Sequence, residues 1–573
     1  MKKPIIEFAN FGFQYKVQTL PTLHDINLTL YEGEKVLILG ASGSGKSTLA
    51  NCINGIVPFS YRGTISGSLK VNGLETGDLS IFELSKHVGT VLQDSDAQFV
   101  GLSVGEDIAF AFENDNMPNA EMQPRVFENS KKVGMQDFLN ALPFNLSGGQ
   151  KQKVALAGVL SEDMNILIFD EPLASLDPKT GTEAIDLIDN ISKDRTVIII
   201  EHRLEDVLYR PVDRVVVMDA GRIVADTTPF ELLCGTTLFE YGIREPLYIT
   251  ALKYAGCELA KIPHLEDVEN IELSDENIAK LRAFFELHTD STHTPTGEEV
   301  IRLNNITFAY EQDMARNVVR DISFAVNKGE RIALIGKNGA GKSTIARLIC
   351  GISRPKSGVV YIGGNDYNNL SVKEIGENIG FVMQNPNQML IRDTIKAEVE
   401  LALTIRNMPE AEAAAEKAMR TCEIYRMRNW PVDAVSYGQK KRITIAAILA
   451  LEPDVLILDE PTAGQDYRHY MEIITFINKL NTDYGKTIIF ITHDMHLAIE
   501  NTDRAIVLSD GALVADSNVF SVLSDNDIIE TANLKQTSLY TLARKLDIEP
   551  EQFIEHYIHY ERMVRANGQT VSD

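Results

Sequence analysis

The sequence predicts an α/β protein built from two tandem copies of one domain, and three observations carry that prediction. Matching residues recur at a nearly constant spacing along the 573-residue chain. Each copy holds a glycine-rich loop, GASGSGKST or GKNGAGKST, between an apolar strand pattern and a helix pattern. Each copy then holds a second apolar run, ILIFDE or VLILDE, that ends in two carboxylates.

The spacing is 295 positions for Tyr15 and Tyr310, 296 for Lys46 and Lys342, and 291 for Gln93 and Gln384. It is 289 for Ser147/Ser436 and Asp170/Asp459, 291 for His202/His493 and 290 for Gly221/Gly511. Solenoid repeats recur every 20 to 50 residues, so the duplicated unit is a whole domain of about 230 to 240 residues. The expected boundaries are 1–242 and 299–530. An acidic, partly helical linker spans 243–298, and a helical extension spans 531–573.

Composition narrows the function classes. A 44% hydrophobic, 24% charged chain is globular, and no run approaches the roughly 18 apolar residues of a membrane span. The start MKKPIIEFANFG lacks the apolar core of a signal peptide. The expectation is therefore a cytoplasmic chain unless a partner holds it at a membrane. A formal net charge of −26 repels polyanions, which argues against nucleic acid as the main partner while leaving room for a local basic groove. Cys52, Cys234, Cys257, Cys350 and Cys422 show no CxxC spacing and read as reduced thiols.

In the first copy, IIEFANFGFQY and LHDINLTLYEGEKVLILG read as short strands ending in the buried run Val36 to Leu39. In the loop that follows, Gly40, Gly45, Lys46 and Ser47 satisfy G-x-x-x-x-G-K-[ST], with Ser42, Gly43 and Thr48 in the same stretch. Gly336, Asn338, Gly339, Gly341, Lys342, Ser343 and Thr344 form its twin. Glycines let backbone N–H groups close around phosphate, the lysine reaches the β and γ phosphates, and the serine binds magnesium. At the carboxyl ends of the later strands, Asp170 and Asp459 are placed to hold magnesium through water. Glu171 and Glu460 are placed to polarise an attacking water. A solvated strand end would explain any single Asp-Glu pair, but a phosphate loop upstream of each favours the chemical reading.

LSGGQ at Leu146 to Gln150, between phosphate loop and acidic strand, resembles the signature of ATP-binding-cassette (ABC) ATPases. The resemblance covers both halves and implies two P-loop cassettes, each with a mixed or parallel sheet core, an antiparallel β subdomain and a helical signature subdomain. It implies ATP and Mg2+ as cofactors. By the same resemblance Tyr15 and Tyr310 stack on adenine, and Gln93 and Gln384 sense magnesium and the attacking water. Ser147, Gly149 and Gln150, with Ser436, Gly438 and Gln439, face a γ-phosphate. Asp177 and Asp466 are the D-loop aspartates, and His202 and His493 the switch histidines. The implied magnesium set is Ser47, Gln93 and Asp170, then Ser343, Gln384 and Asp459. Family geometry closes two cassettes head to tail, so one chain is expected to form both ATP sites.

The second signature departs from the pattern, reading Val435-Ser436-Tyr437-Gly438-Gln439. Tyr437 adds bulk, and a restricted backbone, where close approach to phosphate is expected. The site of Lys46 and Glu171, which faces it in the family arrangement, is expected to turn over more slowly.

The stretches DSDAQFVGLSVGEDIAFAFEN and NPNQMLIRDTIKAEVELAL, after Gln93 and Gln384, resemble the Q-loop and following helix of energy-coupling-factor (ECF) importer ATPases, and EHRLEDV after the first switch position is similar. That resemblance implies a transmembrane partner gripped after Gln93 and Gln384, and a small substrate-binding membrane subunit beyond it. It implies a place on the inner face of the cell membrane, and a vitamin, vitamin precursor or metal ion as cargo. Phe99, Ile108, Phe110 and Phe112 also fit the apolar side of a packed helix. Two alternatives stand beside this reading: a tandem cassette acting on ribosome or nucleic acid, for which the acidic linker has the wrong charge, and the fused ATPase of a sugar-type importer, whose second site usually lacks residues that are intact here.

The tail reads as two amphipathic helices separated near Pro550. His556 and His559 within it are expected to pack or face solvent rather than bind metal. Trp430 is expected to pack.

Overall fold

The computed structural model describes residues 3–93, 98–160, 164–174, 176–286, 297–310 and 317–566. It forms two compact units, one comprising Met1–Leu281 with Asp466–Arg468, the other Arg282–Gln465 with His469–Asp573. Asp94 to Ala97, part of the first ECF-like stretch, lie outside the described residues, as do 287–296 of the linker and 567–573 of the tail.

The described residues of the first unit form ten strands: β1 (Pro4–Tyr15), β2 (Leu23–Tyr31), β3 (Lys35–Gly40), β4 (Gly63–Val71), β5 (Leu74–Glu75), β6 (Val88–Val91), β7 (Ile166–Asp170), β8 (Thr196–Ile200), β9 (Arg214–Asp219) and β10 (Arg222–Thr227). They form a four-stranded sheet, β2-β1-β4-β5, and a six-stranded sheet, β10-β9-β3-β8-β7-β6. In the larger sheet β6, β7, β8, β3 and β9 run parallel, with Val36 opposite Ile198 and Ile198 opposite Ile168. Parallel strands are covered on both faces, which is why Val36–Leu39 and Val197–Ile200 are unbroken apolar runs with next to no exposed surface. The smaller sheet is antiparallel, and its Phe8, Phe11 and Phe13 share one core cluster with Ile38, Ile168 and Ile198 of the larger.

The second unit repeats the plan with β11 (Glu299–Phe308), β12 (Val319–Asn327), β13 (Arg331–Gly336), β14 (Ser357–Ile362), β15 (Asn365–Asp366), β16 (Ile379–Val382), β17 (Val455–Asp459), β18 (Thr487–Ile491), β19 (Arg504–Ser509) and β20 (Ala512–Asn518). Its sheets are ordered β12-β11-β14-β15 and β16-β17-β18-β13-β19-β20. The sequence repeat is thus a repeat of topology, strand for strand.

Between β6 and β7 stand the helices Val104–Asn114, Asn119–Lys132 and Gly148–Val159. In Val104–Asn114, Ile108 and Phe112 lie one turn apart and are buried, whereas Phe110 between them is 43% exposed. The four aromatic and aliphatic positions expected on one packed face are therefore divided. Trp430 departs from expectation as well. Its ring is half exposed, and the residue is tied in through its backbone, whose carbonyl accepts from Ile395 N.

The linker contributes the helices Leu247–Tyr254 and Asp275–Phe285, and the tail contributes Ser538–Lys545 and Pro550–Ala566. Pro550 occupies the first position of the last helix, where its missing N–H costs nothing. Phe284 meets His556 and Tyr560 edge-on with centroids 5.0 Å apart, Phe285 stacks on Phe553, and Phe520 meets His559. Both histidines serve packing, and the described residues contain no cluster of three or more His, Cys, Asp or Glu suited to a metal. Among the described residues no helix is long and apolar enough to cross a membrane.

Arg562 fixes the last helix to the unit. Its guanidinium donates to Glu500 O (2.9 Å), Thr502 O (3.3 Å) and Asp503 Oδ1 (3.2 Å). Arg562→Ala should cost about 3 kcal/mol, because it strands buried acceptors. Calorimetry should show the unit's melting temperature several degrees lower, with a smaller drop for Arg562→Lys, which keeps the charge but not the fork.

Candidate functional site

Both phosphate loops begin where a strand of the larger sheet ends. Gly40 and Gly336 have φ of 154° and 144°, and a Cβ on either would lie 2.2 or 2.0 Å from the carbonyl oxygen of Met218 or Leu508 on the adjacent strand. Only glycine lets the loop turn there. The loops feed the helices Lys46–Ile53 and Lys342–Ile349, whose N-terminal amides favour an anion. Ser42 and Gly43, with Asn338 and Gly339, line the turns between. The lysines fold back over the loops: Lys46 Nζ donates to Gly40 O (2.8 Å) and Ala41 O (2.9 Å), and Lys342 Nζ to Gly336 O (2.7 Å) and Lys337 O (3.0 Å). Burial lowers the Lys46 ammonium, against the opposing pull of Glu171 and Asp170.

The acidic strand ends come to the same place. Ser47 Oγ donates to Asp170 Oδ1 (3.2 Å) and Ser343 Oγ to Asp459 Oδ2 (3.1 Å). Burial pushes Asp170 up to about 6 and also raises Asp459. A hydroxyl beside a carboxylate short of positive charge is a hard oxygen pair of the kind magnesium takes, so the residues fit that ion. Next in sequence, Glu171 and Glu460 have φ of 50° and 46°, a left-handed backbone that non-glycine residues rarely hold. Their amides continue the parallel pairing, Glu171 N to Ile200 O and Glu460 N to Ile491 O, both at 2.9 Å.

The histidines reach these glutamates in two ways. His202 Nε2 lies 3.1 Å from Glu171 Oε1, whereas His493 approaches Glu460 Oε1 through Nδ1 at 2.7 Å. Gln93 Nε2 donates to Glu171 Oε2. Burial drives Glu171 up, but the hydrogen bond and charge of His202, with Lys46, outweigh it and hold the carboxyl below its usual range.

Three residues that sequence reading passed over support these groups. Glu201 is buried and accepts from Leu173 N (2.9 Å) and His202 N (3.1 Å). Thr492 takes its place in the second unit, donating to Glu460 Oε2 at 3.4 Å. The contrast of EHRLEDV with THDMHLA was the available signal. Lys441, in the helix Tyr437–Leu449, is buried, and its Nζ donates to Glu460 O (2.8 Å) and Pro461 O (2.6 Å). Burial lowers it to about 8, opposed by Glu460 and Asp459.

The tyrosines expected at adenine are twins. Each hydroxyl lies 3.1 Å from a threonine of its loop helix, Tyr15 with Thr48 and Tyr310 with Thr344. Each ring also stands edge-on to a phenylalanine two residues earlier. The signature helices start alike. Ser147 Oγ accepts from Gln150 N and Ser436 Oγ from Gln439 N, and each serine N donates in return to the glutamine Oε1. Gly149 is constrained, since a Cβ would meet Thr180 Cγ2 at 2.3 Å, whereas Gly438 has room.

Tyr437 does not restrict the backbone as expected. The Ser436 cap, at φ −65° and ψ 161°, matches Ser147 at −67° and 160°, and Tyr437 takes an ordinary first helical position. Its effect is bulk, plus a hydrogen bond from its hydroxyl to Gln384 O (3.2 Å). Asp177 caps the helix Pro178–Ile191 through Thr180 N (3.0 Å), and Asp466 immediately precedes the helix Tyr467–Thr482.

Comparison with known proteins identifies the family. A family model described as ABC transporter matches residues 23–174 and 319–463, and one described as ATP-binding cassette cobalt transporter matches residues 236–308. A Clostridium perfringens protein named as an ABC transporter ATP-binding protein is 52% identical, over 98% of this chain and all of its own. One from Enterococcus faecalis is 51% identical, over 99% of this chain and all of its own. Among solved structures, cbiO1 from Clostridium perfringens, part of the ABC transporter complex cbiONQ, covers 43% of this chain and 99% of its own at 28% identity and a TM-score of 0.38. The chain belongs to the ABC transporter family, as an ATP-binding subunit that carries two ATPase cassettes.

Proposed function

We propose that the chain is the energy-coupling subunit of an ECF-type importer, converting binding and hydrolysis of MgATP into movement of a membrane partner. The observation that carries this reading is a pair of rigidly held apolar segments that follow the two Q-loop glutamines. In the first cassette Val100 is 63% and Leu102 78% exposed, while Val100 N and Gly101 N both donate to Asp107 Oδ1 (2.9 and 3.1 Å). In the second, Ile391 is 72% exposed, and Glu398 Oε2 accepts from Ile391 N (2.9 Å) and Arg392 N (2.7 Å). A carboxylate that pins two amides displays these side chains in a fixed pose, as an apolar docking surface requires. The chain then sits on the inner face of the membrane through that partner, with a small substrate-binding subunit beyond it. The cobalt-transporter description of the model that matches the linker supports a metal ion within the cargo class of vitamins, vitamin precursors and metal ions.

The chemistry assigned to the residues follows from their positions. Glu171 and Glu460 act as general bases toward a water, His202 and His493 hold the carboxylates in line, and Lys46 and Lys342 turn from their loop carbonyls to the β and γ phosphates. Ser47 and Asp170, or Ser343 and Asp459, with Gln93 or Gln384 nearby, would hold magnesium, which when bound would supply positive charge to the phosphates. Tyr15 and Tyr310 stack on adenine. The signature serines Ser147 and Ser436 each face a γ-phosphate, with Asp177 and Asp466 as the D-loop aspartates.

Two experiments test the reading. Leu102→Asp and Ile391→Asp should abolish co-purification with the membrane fraction while leaving the melting temperature unchanged. Retention on the membrane, or a chain that tracks with ribosomes, would overturn the transport assignment. In the reading of unequal sites, Glu171→Gln should remove less than half of ATP turnover and Glu460→Gln most of it. Tyr437→Gly should raise the share lost in Glu171→Gln, and equal losses in the two glutamine variants would sink the asymmetry.

A further inference from the structure

Lys441 is a buried cation for which neither ATP binding nor docking has a use. Its neighbours give it one. The side chain leaves the second turn of the helix that Ser436 caps, and its Nζ lies against the two carbonyls that follow the β17 carboxylate, those of Glu460 and Pro461. The Tyr437 ring covers it from the same helix, with the centroid 5.6 Å away. Glu460 is the residue whose backbone is held at φ 46°, and a conformation of that kind persists only where its surroundings impose it. An ammonium that donates to the Glu460 carbonyl does so directly. The first cassette has the same device in weaker form. Gln152, the repeat counterpart of Lys441, donates through Nε2 to Pro172 O, one carbonyl rather than two, and its amide carries no charge.

We infer that Lys441 is a positioning residue for hydrolysis in the second cassette, holding Glu460 in the strained backbone pose that aims its carboxylate at water and tying that pose to the signature helix. The inference rests on the assignment of Glu460 as general base. Charge-assisted donors form the stronger hydrogen bonds, so the second cassette holds its base more firmly than the first holds Glu171. Lys441 acts through the Glu460 backbone and does not touch the nucleotide, so its loss falls on the chemical step and not on ATP affinity.

The test is steady-state ATPase kinetics of the full chain, with the turnover removed by Glu460→Gln as the yardstick. Lys441→Met should remove at least four-fifths of that turnover, with KM for ATP within twofold of wild type. Lys441→Gln is the variant least prone to misfold, since it copies Gln152 and keeps one of the two hydrogen bonds. It should remove about half of the same turnover, again at unchanged KM and with a melting temperature near that of wild type. Wild-type kcat in Lys441→Gln overturns the inference whether or not Lys441→Met folds, and so does a loss expressed mainly in KM. If Glu460→Gln itself leaves turnover intact, the general-base assignment fails first, and the inference falls with it.

Discussion

The parallel register of three neighbouring strands is the constraint on which both sites depend. β3 and β7 flank β8, and all three run in one direction with aligned apolar residues. Their carboxyl ends therefore emerge at one edge of the sheet, the phosphate loop from β3, the Asp170-Glu171 pair from β7 and His202 just past β8. That edge is where open α/β sheets bind ligands. The second unit repeats it with β13, β17 and β18. No long-range search assembles the site: once the apolar runs pair, Ser47 and Asp170 lie within a hydrogen bond of each other. The close approach of Gly40 to Met218 O shows how little slack remains, since one added carbon at the loop's first residue would collide with the neighbouring strand.

The two copies share a topology but not the same supports. His202 turns Nε2 and His493 Nδ1 toward the corresponding glutamates. A buried carboxylate, Glu201, orders the first turn after β8 by accepting from His202 N, where the Thr492 hydroxyl does so after β18 by accepting from Asp494 N. An amide steadies the chain after β7 and an ammonium the chain after β17. Each substitution alters the electrostatics around a glutamate without moving it, because the strand register has already set its place. Duplicated domains can diverge in chemistry in this way at no cost in fold.

What was legible in the sequence, and what was not, divides along the same line. The glycine-lysine-serine loops, the carboxylate pairs and the strand order they imply could be read because each depends on local spacing and period, and the structure places Lys46, Ser47, Asp170, Glu171 and His202 together. Tyr437 was visible as an oddity, but its physical effect was not, since the backbone it was expected to restrict is that of an ordinary helix start. Lys441 lies in the charged run GQKKR of the signature helix, a run that carries no mark of burial. Only the packing of that helix against the β17 end shows that its ammonium is inside. Trp430 was read as a packing residue because tryptophan usually is, yet its backbone carbonyl makes the tie while its ring stays half exposed.

The tail illustrates how an extension outside the cassette can still act on the site. Arg562 donates to Glu500 O and Thr502 O, at the carboxyl end of the helix Met495–Asn501 that begins two residues after His493. A guanidinium at a helix C-terminus satisfies carbonyls that have no intrahelical partner and meets the negative end of the dipole. Arg565 adds contacts to the Glu500 carboxylate on the same helix. The helix behind the switch histidine is thus anchored from the last element of the chain. Displacement of His493 from Glu460 must either bend the short segment between them or carry the tail along, and the buried Phe553 and Tyr557 of the last helix make the second course the costlier one. The stiffness of the histidine's mount is therefore set in part by residues more than sixty positions downstream of it.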